Sequence, residues 1–341
     1  MPLDTIYLTR HGHRLNWTID HTTGEYKSQF PTPTGNPADP TLTSHGVRQS
    51  HELAAHLTSP EFHPKPFRIY SSPFYRCLQT IQPGVEALKE QQHSSNQNNA
   101  IDSEADLNVR IENGLGEWFG PTTFFNHPSP ATPKTLETHF PTLSPSTTYN
   151  PHLIPSTRGE LIAELHDRVA TALAGIIADV DAEITELEKT QPATSKAILI
   201  CAHAAPLIAM GRVLTGVMPE DSGVEDFHVF TAGLSTFVRR NSASSIPSSS
   251  SSSSSSGPGE GRGLASGTKI VRNGTVVPEW QGGGVGGGWD CAVNGDCSFL
   301  SCGAERGWHF HGEESFDTGP MAPPSALPSS QDPTEKRGTK L

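Results

Sequence analysis

The chain has 341 residues, with 24 Lys and Arg against 36 Asp and Glu, a formal net charge of −12. That balance argues against nucleic-acid binding through a broad basic surface, which depends on neutralising many phosphates. No basic, apolar and small-residue leader opens the chain and no apolar run approaches bilayer length, which argues against secretion and membrane spanning, while five cysteines fit a reducing compartment.

The length suits one large α/β domain with an appendage, or two ordinary domains. Ile6-Tyr7-Leu8 predicts a first strand over residues 3–9, leading into Thr9-Arg10-His11-Gly12-His13-Arg14. Residues 15–40, rich in Pro, Thr, Gly and aromatics, read as a long loop over the mouth of a site. Val47, Leu53, Ala54 and Leu57 recur at helical spacing behind Thr43-Ser44 and predict a crossover helix. Phe67 to Tyr70 predicts the next strand, ending at Ser71-Ser72-Pro73, with a helix through Cys77 to Lys89. Polar residues 90–105 read as a surface insertion, and Leu107 to Ile111 alternates as a strand does. The Pro- and Thr-studded stretch 121–155 cannot be one regular element. Leu161, Leu165, Val169, Leu173, Ile176, Ile177 and Val180 form a stripe that predicts a long helix over 159–189. Lys196 to Ala202 is the near-continuous apolar run of a strand buried on both faces, and it delivers His203. A helix from Leu207 and a last strand over 233–239 complete this unit.

The nine serines Ser248–Ser256 mark a flexible tether. The chain therefore divides into a main domain over 1–240, a linker over 241–262, a small β interaction module over 263–318 and a disordered tail over 319–341. Within the module, Lys269–Arg272, Thr275–Val277, Cys297–Leu300 and Trp308–His311 read as short strands, and Gly282–Gly288 as a flexible connection.

Chemistry concentrates at strand ends. A histidine between Arg10 and Arg14 stays unprotonated near neutral pH, because a further positive charge is disfavoured there, and a neutral imidazole is a nucleophile. Guanidinium groups match phosphate oxygens, so this segment reads as a phosphoryl-transfer site; a surface arginine pair flanking a half-buried histidine is the plain alternative. Gly12 would let the backbone approach a substrate. Arg76, one helical turn past a strand end, can return to the same pocket, and His203 adds a donor opposite His11. Arg14 either joins the phosphate pocket or pairs with a rim carboxylate. A chelate of His11 with His13 is disfavoured in a loop at a strand end, and Cys291, Cys297, Cys302, His309 and His311 lack zinc-site spacing, so no metal is expected. Cys77 and Cys201 read as small buried hydrophobes.

Arg10-His11-Gly12, Leu42-Thr43 with Gly46 and Gln49, Ser71-Ser72-Pro73 with Arg76 and Thr80, and Ala202-His203-Ala204 together resemble the histidine phosphatase superfamily. Order and spacing agree over about residues 3–240. The resemblance implies an α/β fold, a three-layer α/β/α sandwich with a mostly parallel, phosphoglycerate mutase-like sheet, here followed by a small C-terminal β segment. It implies that His11 is phosphorylated during turnover while Arg10, Arg76 and His203 hold phosphoryl oxygens, with no cofactor. A Leu-x-Glu-Trp segment often supplies the acid in this family, which points to Glu117 as proton donor, with Trp118 desolvating the carboxyl and raising its pKa. Glu112 is a second candidate, or a solvated loop carboxylate. His13 departs from the glutamate that many relatives carry.

Asn16-Trp17, Ser72 to Thr80, Gly114 to Trp118 and His203-Ala204-Ala205 are also similar to a narrower family, the phosphatase-domain tau subunits of fungal transcription factor TFIIIC. Asn294 to Leu300 with Glu305 to Phe310 resembles the β segment with which those subunits bind a sister subunit. Two functions are therefore expected, in a nuclear or cytoplasmic chain. One is a metal-independent phosphomonoester hydrolase acting on a phosphorylated small molecule or protein. The other is a weakly catalytic or non-catalytic assembly subunit of an RNA polymerase III transcription factor, held by a sister subunit.

Overall fold

The computed structural model describes residues 2–94, 101–145, 148–240 and 263–312. The serine tether and the tail expected over 319–341 lie outside the described residues. In chain order the elements are β1 (Thr5–Arg10), β2 (Trp17–Asp20), β3 (Glu25–Ser28), α1 (Ser44–Thr58), β4 (Pro66–Ser71), α2 (Tyr75–His93) and β5 (Asp106–Ile111). There follow α3 (Pro133–His139), β6 (Leu153–Ile154), α4 (Ile162–Leu187), β7 (Ala197–Ala202), α5 (Ala204–Thr215), β8 (Leu234–Arg239), β9 (Lys269–Ile270) and β10 (Trp289–Asp296).

Six strands form the main sheet in the order β10-β8-β1-β7-β4-β5. β1, β7, β4 and β5 run parallel, whereas β8 and β10 are antiparallel additions at one side. α1 packs on α2 and α4 on α5, and the two pairs cover the sheet, as the expected sandwich requires. All six residues of β4 and of β7 are buried, which is why β7 shows an apolar run rather than alternation. β5, at the edge, alternates buried and half-buried positions. The register sets Arg10 beside Ala202 and Ser71 beside both Cys201 and Ile111, so four parallel strands end level with one another. Ligand sites of open α/β sheets form outside such carboxyl ends.

Several expectations change. The predicted loop over 15–40 contains the β2–β3 hairpin, turned where the Asp20 carboxylate accepts from Thr22 N and Gly24 takes φ +73. Helix α5 begins at Ala204, three residues earlier than expected, because Pro206 sits in a first turn whose N–H groups need no intrahelical partner.

The largest difference follows the tether. β10 joins the main sheet beside β8, and Trp280, Trp289 and Phe310 belong to the same core as β1 and α4. The indole of Trp280 donates to Asp167 Oδ1 on α4 at 3.1 Å, and His166 stacks on its ring. Residues 263–312 are thus a strap over the main core and not a separate β unit. Thr275–Val277, Cys297–Leu300 and Trp308–His311 are not strands; only Lys269–Ile270 pairs, with β6. Nor is the glycine tract a loose connection. Val285 is buried, and a Cβ at Gly286 would lie 2.8 Å from Ile177 Cγ2. Positive φ at Gly282, Gly284, Gly286, Gly287 and Gly288, together with close packing at Gly284, Gly286 and Gly288, explains these glycines.

Candidate active site

Three strand ends and one turn converge. β1 delivers Arg10 and His11, β4 delivers Ser72, β7 delivers His203, and the turn after β5 delivers Glu117. His11 is 3% exposed, and its Nδ1 lies 2.9 Å from Gly12 O. A carbonyl only accepts, so Nδ1 carries the proton and Nε2 of the neutral ring keeps its lone pair. Burial, then the charges of Arg76, His203, Arg10 and Arg14, hold the His11 pKa well below its usual value. The expectation of a neutral imidazole among cations therefore has a geometric basis.

Arg76 is fully buried in the first turn of α2. Its Nη1 donates to Asp39 Oδ1 at 3.1 Å and to Ala38 O at 3.0 Å, while Nη2 donates to Glu117 Oε2 at 2.9 Å. Phe74 lies under the guanidinium, 4.6 Å from its centre. Arg10 Nη1 donates to Val229 O at 2.7 Å and to Arg306 O at 2.5 Å. The Nε groups of Arg10 and Arg76 are buried and lack a partner among the described residues. Leaving a buried donor unmade is costly, so both mark places where an acceptor belongs. Arg14 bonds Leu15 O and makes no ion pair with a carboxylate among the described residues. Burial lowers its pKa to about 9 and that of Arg10 to about 10, so both remain charged at neutral pH.

His203 occupies the N-cap position of α5 and is fully buried. Its Nε2 is 2.7 Å from Ser72 Oγ and its Nδ1 3.3 Å from Glu117 Oε2. Burial opposes its charge, but the Cys77 sulfur and the Glu117 carboxylate outweigh burial and raise its pKa. For Glu117 the converse holds. Burial pushes its pKa up, yet His203, Arg76 and His11 together hold it well below the usual carboxylate range. This corrects the expectation that Trp118 raises it. The indole turns away, donating to Glu160 O and packing against Trp308 and Phe310, while the Trp118 backbone N–H donates to Glu117 Oε1. Glu112 is no solvated loop carboxylate either. It is fully buried and accepts from Gly114 N, His152 N and Tyr149 Oη.

His11, Glu117 and His203 bring ligand-type atoms within 4.8 Å of one another, close enough for a metal ion. The donor set does not suit one. Arg76 Nη2 already binds Glu117 and lies 3.2 Å from His203 Nδ1, and two more guanidinium groups add charge that repels a cation. An anion fits this field.

Some participants were not foreseen. Asp39, fully buried, orients Arg76 and accepts from Tyr75 N, but it sits in Pro37-Ala38-Asp39-Pro40, where nothing in the pattern marks it. Glu305 accepts from His45 Nε2 at 2.5 Å and from Gln49 Nε2 at 3.1 Å, pinning the strap beside the site. Gly12 serves a packing purpose as well. A Cβ there would lie 2.9 Å from Gly46 O, so the glycine admits the start of α1.

The transcription factor tau 55 kDa subunit of Saccharomyces cerevisiae is 33% identical over 217 residues, 63% of this chain and 42% of that relative. The chain thus spans less than half the length of that relative. Among solved structures, the ecdysone phosphate phosphatase from Bombix mori superposes with a TM-score of 0.48 at 19% identity, covering 70% of this chain and 90% of its own. A phosphoglycerate mutase from Bacillus anthracis gives 0.38 at 14% identity, covering 70% and 89%. Residues 6–248 match the model of the histidine phosphatase superfamily, branch 1, and the chain belongs to that superfamily.

Proposed function

We propose that the chain is a phosphomonoester hydrolase that works through a phosphohistidine on His11 and needs no metal. The observation that carries this reading is a buried, neutral imidazole with Nε2 free, facing guanidinium groups whose buried Nε donors lack acceptors. The Nε2 lone pair attacks phosphorus and the bond to the leaving oxygen breaks. Arg10, Arg14, Arg76 and His203 stabilise charge on the equatorial oxygens. The leaving oxygen takes a proton from Glu117. At rest the proton of the Glu117–His203 pair sits on His203; a phosphate dianion beside Arg76 raises the affinity of Glu117 for it. Water then attacks phosphorus, giving a proton to Glu117, and the bond to His11 Nε2 breaks, releasing inorganic phosphate and free His11.

The test is a chemical trap. Brief incubation with labelled aryl phosphate and an alkaline quench should leave an acid-labile phosphate on His11, absent in His11→Ala. Equal turnover by His11→Ala would overturn the reading.

The 33% identity to a transcription-factor subunit favours a second role for the same chain, as a nuclear assembly subunit held by a sister subunit. Among the described residues, no helix is long and apolar enough to cross a membrane, and the outer edge of β10 pairs with no strand. That open edge suits strand addition by a partner. Val293→Asp on this strand should abolish co-purification with the sister subunit and leave hydrolysis intact; unchanged co-purification would overturn the role assigned to this edge.

A further inference from the structure

A cavity of about 320 Å³ opens beside Glu117, between the end of β4 and the segments around residues 127–133 and 151–160. Pro73, Phe74, Phe119, Pro128, Pro133 and Ile154 supply much of its wall. Two of its residues also belong to the catalytic centre. Glu117 Oε2 bonds Arg76, and the Phe74 ring meets the His203 ring edge-on at 5.1 Å. The cavity and the phosphate cage therefore share a wall.

In-line displacement fixes what the cavity must receive. The nucleophile and the leaving oxygen stand on opposite sides of phosphorus, and the leaving oxygen must lie within reach of its proton donor. With His11 on one side of the cage, the leaving group projects past Glu117, into this cavity. The chemistry of the wall then selects it. Among the described residues no lysine or arginine lines the cavity; Arg158, near enough for its charge to act on His127, donates to Phe125 O and is not part of the wall. Glu160 is already paired with Arg168 at 2.5 Å. His127 Nδ1 lies 2.6 Å from the Tyr26 hydroxyl and Nε2 donates to Gly120 O at 2.9 Å, and burial lowers its pKa to about 4, so the ring is neutral. A second anionic group on the substrate would lose its hydration here and find no basic side chain in the wall to pair with. Proline-rich walls are stiff, so the pocket is preformed, as small-molecule sites usually are.

Building on the hydrolase reading, we propose that this cavity is the leaving-group subsite, and that the substrate is a phosphomonoester of an uncharged, apolar, ring-sized alcohol or phenol. Substrates with a second carboxylate or phosphate are excluded by the same walls. The cleavage is ordinary hydrolysis: the ester oxygen leaves with the Glu117 proton as the free alcohol or phenol, and water later supplies the oxygen of inorganic phosphate.

The test uses a matched pair, 2-naphthyl phosphate and the same ring carrying a carboxylate at its far end, on the full chain. Phosphoramidate, which has no organic leaving group, serves as a separate donor to His11. The neutral ester should have a kcat/KM at least about tenfold above its carboxylate partner. Ser129→Lys, at the exposed rim of the cavity, should narrow or invert that ratio by supplying a counter-charge. Equal or better turnover of the carboxylate ester, or a ratio unmoved by Ser129→Lys, overturns the proposal. If phosphoramidate labels His11 while these ratios fail, only the subsite assignment falls. If phosphoramidate does not label His11, the hydrolase reading falls and takes the subsite with it.

Discussion

Arg306 holds Arg10 from 296 positions away: its carbonyl oxygen accepts from Arg10 Nη1 at 2.5 Å. The strap that crosses the core after the tether therefore ends as part of the catalytic pocket, tied down by Glu305 on His45 and by Trp308 and Phe310 against Trp118. Arg306 adopts φ +54, and this conformation aims the carbonyl at Arg10. Arg306→Pro locks φ near −65° and turns the carbonyl away, so kcat/KM for an aryl phosphate should fall about tenfold, the loss of one charge-assisted hydrogen bond. Arg306→Gly, which tolerates positive φ, should retain activity. Equal rates for the two variants would show that the carbonyl has no part in placing Arg10.

The pH dependence of the rate follows from opposite displacements. The His11 pKa lies well below its usual value, so the nucleophile stays free until the medium is distinctly acidic. The His203 pKa is raised by the Cys77 sulfur and the Glu117 carboxylate, so its positive charge persists to higher pH than that of an ordinary imidazole. The profile of kcat/KM should fall on its alkaline limb as His203 loses its proton, at a higher pH than an unperturbed histidine would set. His203→Gln should lower the plateau and remove that alkaline limb. An alkaline limb unchanged in His203→Gln would assign it to another group.

Much of the main fold and site was legible because the signals are local. The buried runs of β4 and β7 and the stripe of α4 each lie in one stretch of chain, and the strand ends name Arg10, His11 and His203 directly. What was not legible depends on contacts distant in sequence. β10 begins with Trp289 directly after a glycine-rich tract, and its pairing with β8 is interrupted by two register shifts, so it lacks clean alternation. Asp39 gains its meaning only when α2 brings Arg76 against it. The Glu117 pKa was misjudged because Trp118 adjoins it in sequence, whereas His203 and Arg76 adjoin it in space.

Asp39 and Arg76 form an ion pair in which both side chains are fully buried. Removing one partner strands a charge, so Asp39→Ala should cost about 3–5 kcal/mol, read from urea unfolding midpoints at constant m. Asp39→Asn keeps one oxygen, enough for Arg76 or for Tyr75 N but not for both, and should cost less than Asp39→Ala. A negligible change in Asp39→Ala would mean that Glu117 alone suffices to neutralise Arg76.

The strap should contribute to stability as core does. Trp289 is fully buried on β10, its indole donating to Val285 O at 3.1 Å, with Arg239 5.3 Å from its ring. Trp289→Ala opens a cavity at the sheet edge and should cost about 3–5 kcal/mol. A detachable module would instead melt separately and leave the main transition where it was. Calorimetry on the full chain separates the two, since one cooperative transition shifted downward is expected for a strap that shares the core.

The buried, neutral state of His11 also sets a stability dependence. Its pKa is lower in the folded chain than in the unfolded one, so below about pH 6.5 the unfolded chain binds a proton that the folded chain does not. Stability from this group is therefore complete above that value and declines as pH falls, by up to about 1.4 kcal/mol per pH unit until the folded pKa is reached. His11→Gln has no such proton to take up. Its unfolding free energy, measured in urea from pH 7 down to pH 5, should fall less steeply than that of the unaltered chain. Parallel slopes would mean that His11 titrates alike in both states, and that the guanidinium cage does not hold it neutral.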